Sequence, residues 1–310
     1  MTLGLHNSID IKLEKRPEVI SKTIKPTQQN LRILYFIFDF HTLTATQLAR
    51  FTQKKIEPTR QLYRILRKMW LADIVDRIPI LLEYNSNPEK FYCISKNGIN
   101  YLIEHLTKEY QHIKVSQIKH SRSYIRMTFM KHVYGVAEIA SLEKLAMNFQ
   151  KNIEIKFMGS LTTKEHRTLN KKRVEVISPD FFSQYKTENK IIQIFTEYER
   201  SIKSKQYKIK KIEHYYEFLK KKNFTQTLRF VFPTHTLEKN FWTYFIRVKP
   251  EYFNYINTIS TNLEILKEPK NFFENIYLKV HRDTIFLRKQ GGYETIDSSK
   301  IVRKNIFELT

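Results

Sequence analysis

The sequence predicts an α+β protein with two folded domains, the second of them built around a mixed sheet. Apolar residues recur at helical spacing between positions 28 and 71, and two short apolar runs follow them. Later in the chain a helix, several strands, a basic helix and a further strand alternate, which is typical of a compact α/β unit. At 310 residues the chain is long enough for two domains with cores of their own.

The composition indicates a protein whose partner is anionic, either nucleic acid or an acidic membrane surface. The 54 lysines and arginines outnumber the 31 acids, and the resulting net charge of +23 is spread along the whole chain. Cys93 is the single cysteine, which excludes a disulfide within the chain and a cysteine-based zinc site. The six glycines form no phosphate-binding loop. Because no signal peptide or membrane-spanning run is visible, we expect a cytoplasmic protein with no membrane partner.

The first domain is predicted over 28–106, after a polar, basic lead-in at 1–27 that is expected to be flexible. Three helices, a two-stranded hairpin and a closing helix in this order predict a winged helix-turn-helix. Pro58 stands where the first turn of the third helix is expected. The expected elements are helices at 28–41, after Thr44, at 58–71 and at 99–106, with strands at 74–82 and 90–94.

The third helix is the one that enters the major groove of DNA in a winged helix-turn-helix. Leu62, Ile65, Leu66 and Met69 form its apolar stripe. Arginines on its other faces can bond guanine edges or phosphates. The alternative is a winged helix used only for dimerisation or for packing against another domain. The candidate DNA-binding residues of this helix are Thr59, Arg60, Tyr63, Arg64, Arg67 and Lys68.

The second domain is predicted over 124–235, after a polar linker at 107–123. The last residues, 236–310, are aromatic and basic and form an extension of uncertain fold. The expected elements are a helix at 124–149, strands around 153–157 and 173–177, an acidic hairpin, a basic helix at 204–222 and a strand at 227–232, with a helix near 239–255 and a strand pair around 276–287 in the extension.

The acidic hairpin carries three carboxylates. Strands that close on the polar turn at 186–190 pair residues whose numbers sum to about 377. This register places Asp180 opposite Glu197, and strand alternation places Glu197 and Glu199 on the same face. Three converging carboxylates repel one another unless a cation lies between them, and hard oxygen ligands favour Mg²⁺ or Mn²⁺. The hairpin therefore predicts metal-dependent phosphodiester chemistry.

Simpler interpretations stay open for these charged groups. Acids at an exposed strand edge of a lysine-rich protein commonly pair with nearby lysines, and such surface pairs contribute little to stability. The basic run at 203–211 contains Lys208 and Lys210 as candidate DNA-binding residues. These lysines form either a phosphate track that leads to the acids or a solvated helix face.

A set of short motifs extends over positions 28–233. They are Thr44-Ala45-Thr46-Gln47-Leu48, the arginines of the third helix, Leu71-Ala72-Asp73-Ile74-Val75, Tyr92-Cys93-Ile94-Ser95-Lys96-Asn97-Gly98, His132, Pro179-Asp180, Glu197-Tyr198-Glu199-Arg200-Ser201, Lys211 and Tyr215. In these motifs the chain resembles the replication-relaxation proteins of plasmids and mobile elements. The resemblance implies a restriction-endonuclease-like second domain, related to relaxases that lack a two-histidine motif.

The resemblance also implies roles for single residues. Asp180 and Glu197 match the acids that hold the metal in such nucleases. Glu199 stands where the family pattern expects a lysine, and would be a third ligand or a base. Lys211, on the following helix, would then neutralise the transition-state phosphate. Glu138 stands where many members have a further acid and would be an additional metal ligand.

The expected function is that of a plasmid- or mobile-element-encoded DNA-binding protein that nicks DNA with Mg²⁺ or Mn²⁺ in replication or mobilisation. One alternative is a non-catalytic origin-binding initiator or regulator with a nuclease-like scaffold domain, which leaves open whether the chain is an enzyme. Another is a structural adaptor. The expected partner is double-stranded DNA of a plasmid origin, with a homodimer and replication or transfer proteins as further options.

Overall fold

The computed structural model describes two compact units, Met1–Leu145 and Ala146–Thr310. Both units combine helices with a sheet, which confirms the α+β class. No helix in the described part of the chain has the length and apolarity needed to cross a membrane. The residues described are 13–17, 24–79, 90–105, 127–150, 154–159, 179–188, 191–200, 205–222, 226–245, 256–273, 277–280 and 301–304.

Hydroxyl caps set the starts of the first four helices. The side chains of Thr27, Thr44, Thr59 and Ser95 accept hydrogen bonds from backbone N–H groups in the first turns, where no intrahelical acceptor exists. Two predicted starts are corrected by these caps: the third helix begins after Thr59, and the fourth begins after Ser95. The helices are α1 (Gln28–Phe40), α2 (Ala45–Gln53), α3 (Arg60–Leu71) and α4 (Lys96–Glu104).

A small antiparallel sheet completes this part of the first unit. Its strands are β1 (Thr42–Thr44), β2 (Val75–Pro79) and β3 (Lys90–Ile94), in the order β1-β3-β2. Strand β1 was not predicted from the sequence, because a three-residue strand has too few positions to show alternation. The end of the predicted strand 74–82 lies outside the described residues.

A close approach of backbones fixes α4 against the sheet. A Cβ atom added to Gly98 would lie 1.9 Å from the carbonyl oxygen of Ile74 and 2.9 Å from a side-chain carbon of Ile94. Only a glycine allows this contact, so the Ser95-Lys96-Asn97-Gly98 turn has a packing role as well as a capping role.

Helix α5 (Met127–Ala146) groups almost entirely with the first unit, although the sequence predicted that a second domain begins at 124. Met130 packs in one apolar cluster with Ile78, Phe91 and Cys93 of the small sheet. The division therefore falls after Leu145. The predicted linker at 107–123 lies outside the described residues.

Part of the lead-in predicted to be flexible packs against the first unit. The backbone N–H of Glu14 donates to the carbonyl of Arg77 at 2.9 Å, and its carboxylate accepts from Lys90 Nζ at 2.9 Å. Arg16 forms ion pairs with Asp73 and Asp76. Residues 13–17 thus form a strap along β2 and correct the prediction for this segment.

The second unit contains a seven-stranded mixed sheet in the order β10-β9-β8-β7-β6-β5-β4. Strands β6, β7 and β8 are parallel, and the other pairs are antiparallel. The predicted strand at 173–177 lies outside the described residues. The strands are β4 (Glu154–Gly159), β5 (Phe181–Lys186), β6 (Ile191–Tyr198), β7 (Gln226–Phe232), β8 (Ile256–Asn262), β9 (Tyr277–Val280) and β10 (Ile301–Lys304).

The extension at 236–310, whose fold the sequence left uncertain, adds strands to the same sheet. Strand β8 pairs in parallel with β7, and β9 pairs with β10. The predicted pair around 276–287 thus has its second strand at Ile301–Lys304. The helices of this unit are α6 (Lys205–Lys222), α7 (His235–Phe245) and the one-turn α8 (Leu263–Leu266).

Helix α6 is anchored to the sheet by its apolar face. Tyr215 and Leu219 of α6 are buried in one cluster with Leu228 and Phe230 of β7 and with Phe241 of α7. This packing fixes the position of the other residues of α6, including Lys211, relative to β6 and β7.

Candidate functional site

The β5–β6 hairpin places Asp180 beside the end of β6. Phe181 pairs with Thr196, so the residue numbers sum to 377 as the sequence predicted. One position earlier, the N–H of Asp180 donates to the carbonyl of Thr196 at 2.9 Å. The Asp180 carboxylate oxygen Oδ2 in turn accepts from the N–H of Tyr198 at 2.7 Å. These two hydrogen bonds hold Asp180 beside the end of β6, across the hairpin from Glu197.

Glu197 and Glu199 share one face of the chain at the end of β6, as alternation predicts. Glu197 lies opposite Phe230 of β7, and the N–H of Glu199 continues the pairing by donating to the carbonyl of Val231 at 2.9 Å. Both glutamate side chains are 2% exposed. A buried carboxylate requires a charged or hydrogen-bonding partner.

Lys211 of α6 is that partner for both glutamates. Its Nζ lies 2.7 Å from Glu197 Oε2 and 2.7 Å from Glu199 Oε1. The ammonium therefore bridges the two carboxylates. The sequence predicted that Asp180, Glu197 and Glu199 converge, and the ion pairs of Lys211 join two of these three acids. We refer to Asp180, Glu197, Glu199 and Lys211 as the acid–lysine cluster.

Tyr215 supports the cluster from the following turn of α6. Its hydroxyl donates to Glu197 Oε1 at 2.5 Å, and its ring is buried. Tyr215 was named from the sequence only as a motif of the family resemblance, although its spacing of four from Lys211 places both side chains on one helix face. Tyr216 is also buried. Both tyrosine side chains are thus buried in the interior of the second unit.

The charges in the cluster are mutually dependent. Burial raises the pKa of Glu197 to about 7, while the Lys211 ammonium opposes this rise and the Asp180 carboxylate adds to it. Burial alone would lower the pKa of Lys211, but the adjacent Glu197 and Glu199 carboxylates raise it above its ordinary value. The ammonium consequently stays protonated at physiological pH.

The carboxylates of the acid–lysine cluster meet some of the requirements of a site for a hard divalent cation. The buried oxygen Glu199 Oε2 has no hydrogen-bond partner among the residues that the structure describes. Carboxylate oxygens are the ligands that Mg²⁺ and Mn²⁺ prefer. Across the described residues, however, no three His, Cys, Asp or Glu side chains are arranged as a ready ligand set. Asp180, Glu197 and Glu199 have the right chemistry, and a lysine lies between two of them.

Glu138 has a different environment from the acid–lysine cluster. It lies on α5 in the first unit, where Oε1 accepts from Arg50 Nη1 at 2.6 Å and Oε2 accepts from Gln47 Nε2 at 3.1 Å. These bonds join α5 to α2. They give Glu138 a packing role and do not support its predicted role as a metal ligand.

The predicted DNA-binding face of α3 is open to solvent. Arg60, Tyr63, Arg64, Arg67 and Lys68 are exposed, and the helix contains no acidic residue. Thr59 differs from these five. Its hydroxyl caps α3 by accepting from the N–H of Leu62 at 3.2 Å and also bonds the Gln53 amide.

The two lysines predicted to follow the phosphate backbone lie on α6. Lys210 is exposed, and Lys208 belongs to the helix, although its side chain lies outside the described part. Comparison with protein-family models, with curated proteins and with solved structures finds no match for this chain.

Proposed function

We propose that this chain binds duplex DNA through α3 and cuts a DNA strand at the acid–lysine cluster with the help of a divalent metal. The observation that carries the proposal is the convergence of Glu197, Glu199 and Lys211 around one point, with Asp180 held beside them by Tyr198. Buried carboxylates in contact with a lysine are better suited to phosphodiester cleavage than an exposed ion pair would be.

The first unit supports the DNA-binding half of the proposal. Its helices and small sheet follow the order of a winged helix-turn-helix, in which α3 would be the recognition helix. The buried Leu62, Leu66 and Met69 hold one face of α3, so the basic residues are turned outward. With no acid on the helix to oppose them, these residues suit phosphate and guanine contacts.

In the proposed reaction, Asp180, Glu197 and Glu199 would hold Mg²⁺ or Mn²⁺, and the bound ion would supply Lewis acidity for a water molecule and for the phosphate. Tyr215 orients Glu197 through its hydroxyl, and the N–H of Tyr198 orients Asp180. Lys211 provides the positive charge for a phosphate oxygen. The burial of both glutamates places their carboxyl groups in a low-dielectric surrounding, where a bound cation would interact strongly with them.

The resemblance to replication-relaxation proteins suggests the setting. We propose a cytoplasmic protein of a plasmid or mobile element that nicks double-stranded DNA at an origin during replication or mobilisation. The net charge of +23 favours such a polyanionic partner.

One observation favours a second candidate, a non-catalytic origin-binding initiator or regulator. Lys211 already neutralises part of the charge of Glu197 and Glu199, as an ion-pair network inside a scaffold domain would. In this version α3 still binds DNA, and the second unit contributes no chemistry.

Plasmid nicking separates the two candidates. Supercoiled plasmid is incubated with the wild type, D180N or E217Q, with Mn²⁺, Mg²⁺ or a chelator. Glu217 is an exposed acid of α6, so E217Q controls for loss of a carboxylate outside the cluster. The nuclease proposal expects metal-dependent nicking by the wild type and E217Q and none by D180N. DNA binding by all three proteins without nicking under either metal would favour the non-catalytic candidate.

A further inference from the structure

We propose that Lys211 occupies the cation position of the acid–lysine cluster and that a divalent cation binds there only by displacing its ammonium. This inference rests on the metal site proposed above. It adds a closed state, in which the lysine holds the two glutamates, and an open state, in which the metal holds them and the lysine is released.

The distances make the two cations mutually exclusive. Lys211 Nζ lies 2.7 Å from both Glu197 Oε2 and Glu199 Oε1. Mg²⁺ binds carboxylate oxygens at about 2.1 Å. A metal that used these same two oxygens would need the space between them, where the ammonium lies. Two cations at such a separation in a buried site would also repel each other strongly.

The cluster retains acceptor capacity that the lysine does not satisfy. Glu199 Oε2 is buried and has no hydrogen-bond partner in the described part of the chain. The ammonium carries one positive charge against the carboxyl groups of Asp180, Glu197 and Glu199. A divalent cation could coordinate the remaining oxygen and balance more of this charge, so it has a reason to replace the lysine.

The Lys211 side chain has access to solvent. The side chain of Lys211 is 21% exposed, whereas both glutamates are 2% exposed. Its flexible four-carbon stem can therefore turn toward solvent while α6 stays packed through Tyr215 and Leu219. Once released, the ammonium is available to a phosphate oxygen of a nucleic-acid strand. Metal loading would thus couple to phosphate binding.

Manganese binding to the full chain tests the competition. The dissociation constant for Mn²⁺, measured by electron paramagnetic resonance, should fall about tenfold or more in K211M, because the resident competitor is gone. K239M removes an equal charge from an exposed lysine of α7 and should stay within about twofold of the wild type. K211M/E199Q should lose the gain. Equal or weaker Mn²⁺ binding by K211M than by the wild type would overturn the inference.

A second measurement uses the unaltered protein. The side-chain ¹⁵N signal of the partly buried Lys211 ammonium, followed by NMR during a Mg²⁺ titration, should shift toward that of a solvated lysine. A signal that stays unchanged at saturating Mg²⁺ would contradict displacement. The outcome is separable from the nuclease proposal. Tight Mn²⁺ binding by K211M in a chain whose wild type never nicks plasmid would leave the displacement standing and remove the cleavage.

Discussion

The ammonium of Lys211 lies 2.7 Å from Oε2 of Glu197, a carboxylate that is almost completely removed from solvent. This pair joins α6 to β6 at the end of the parallel strands. Because each charge is buried by the same packing that brings in the other, neither is stable there alone. The site and the local fold therefore depend on the same contact.

Breaking this pair should destabilise the second unit. We expect K211M to lower the free energy of unfolding by about 3 kcal/mol, since two buried glutamates lose their cation. In K211M/E197Q the loss should be smaller than in K211M alone, because one of the uncompensated charges is also removed. Urea unfolding measures both values. If the effects of K211M and E197Q simply add in the double variant, the two side chains do not interact.

The burial of Glu197 should make stability depend on pH in a particular direction. The folded protein keeps a proton on Glu197 up to about pH 7, whereas the unfolded chain releases it near 4.5. Stability therefore falls as pH rises through this window, by up to about 3 kcal/mol. The raised pKa of Lys211 contributes stability that is lost only above pH 10.5, outside this window.

Comparison with E197Q isolates this effect. Relative to E197Q, the wild type should lose unfolding free energy as the pH rises from about 5 to about 8. The groups that face Glu197, namely Asp180, Glu199, Lys211 and Tyr215, are present in both proteins. Parallel pH profiles for the two proteins would show that Glu197 is ionised at an ordinary pKa.

The exposed arginines of α3 should account for a large part of the DNA affinity. We expect R64A and R67A each to weaken binding to cognate duplex DNA by about 1–3 kcal/mol if they contact bases. K96A removes an exposed charge from α4 and should have a smaller effect. Fluorescence anisotropy at matched salt gives the comparison. Unchanged affinity in both arginine variants would remove α3 from the interface.

Glu138 should matter for stability and not for metal binding. We expect E138Q to lower the unfolding free energy of the first unit by about 1–3 kcal/mol, because the partly buried Arg50 loses its charged partner. Its Mn²⁺ affinity should equal that of the wild type. A clear loss of Mn²⁺ binding in E138Q, with stability unchanged, would restore the predicted ligand role.

Local signals made much of the cluster predictable from the sequence. The polar turn and the alternation of β6 gave the register of Phe181 and Thr196, and with it the common face of Glu197 and Glu199. The cap at Thr44 and the apolar spacing of α3 were equally local. These features depend on neighbouring residues, which a single sequence displays directly.

The features that were missed depend on contacts distant in sequence. Glu138 was assigned to the metal site because the family resemblance places a further acid there, yet its contacts with Arg50 and Gln47 hold it within the first unit. Strand β8 was missed because Ile256–Asn262 reads as a mixed polar run, and its pairing with β7 is what makes it a strand. The bridging position of Lys211 likewise needed the packing of α6.

We propose above that the acid–lysine cluster holds a divalent cation. The most direct measurement is an anomalous difference map from a crystal of the full chain grown with Mn²⁺. We predict a peak within coordination distance of the Asp180, Glu197 and Glu199 carboxylates, with the Lys211 side chain turned away from them. A map without a peak there, in which Lys211 still bridges Glu197 and Glu199 at saturating Mn²⁺, would contradict the claim.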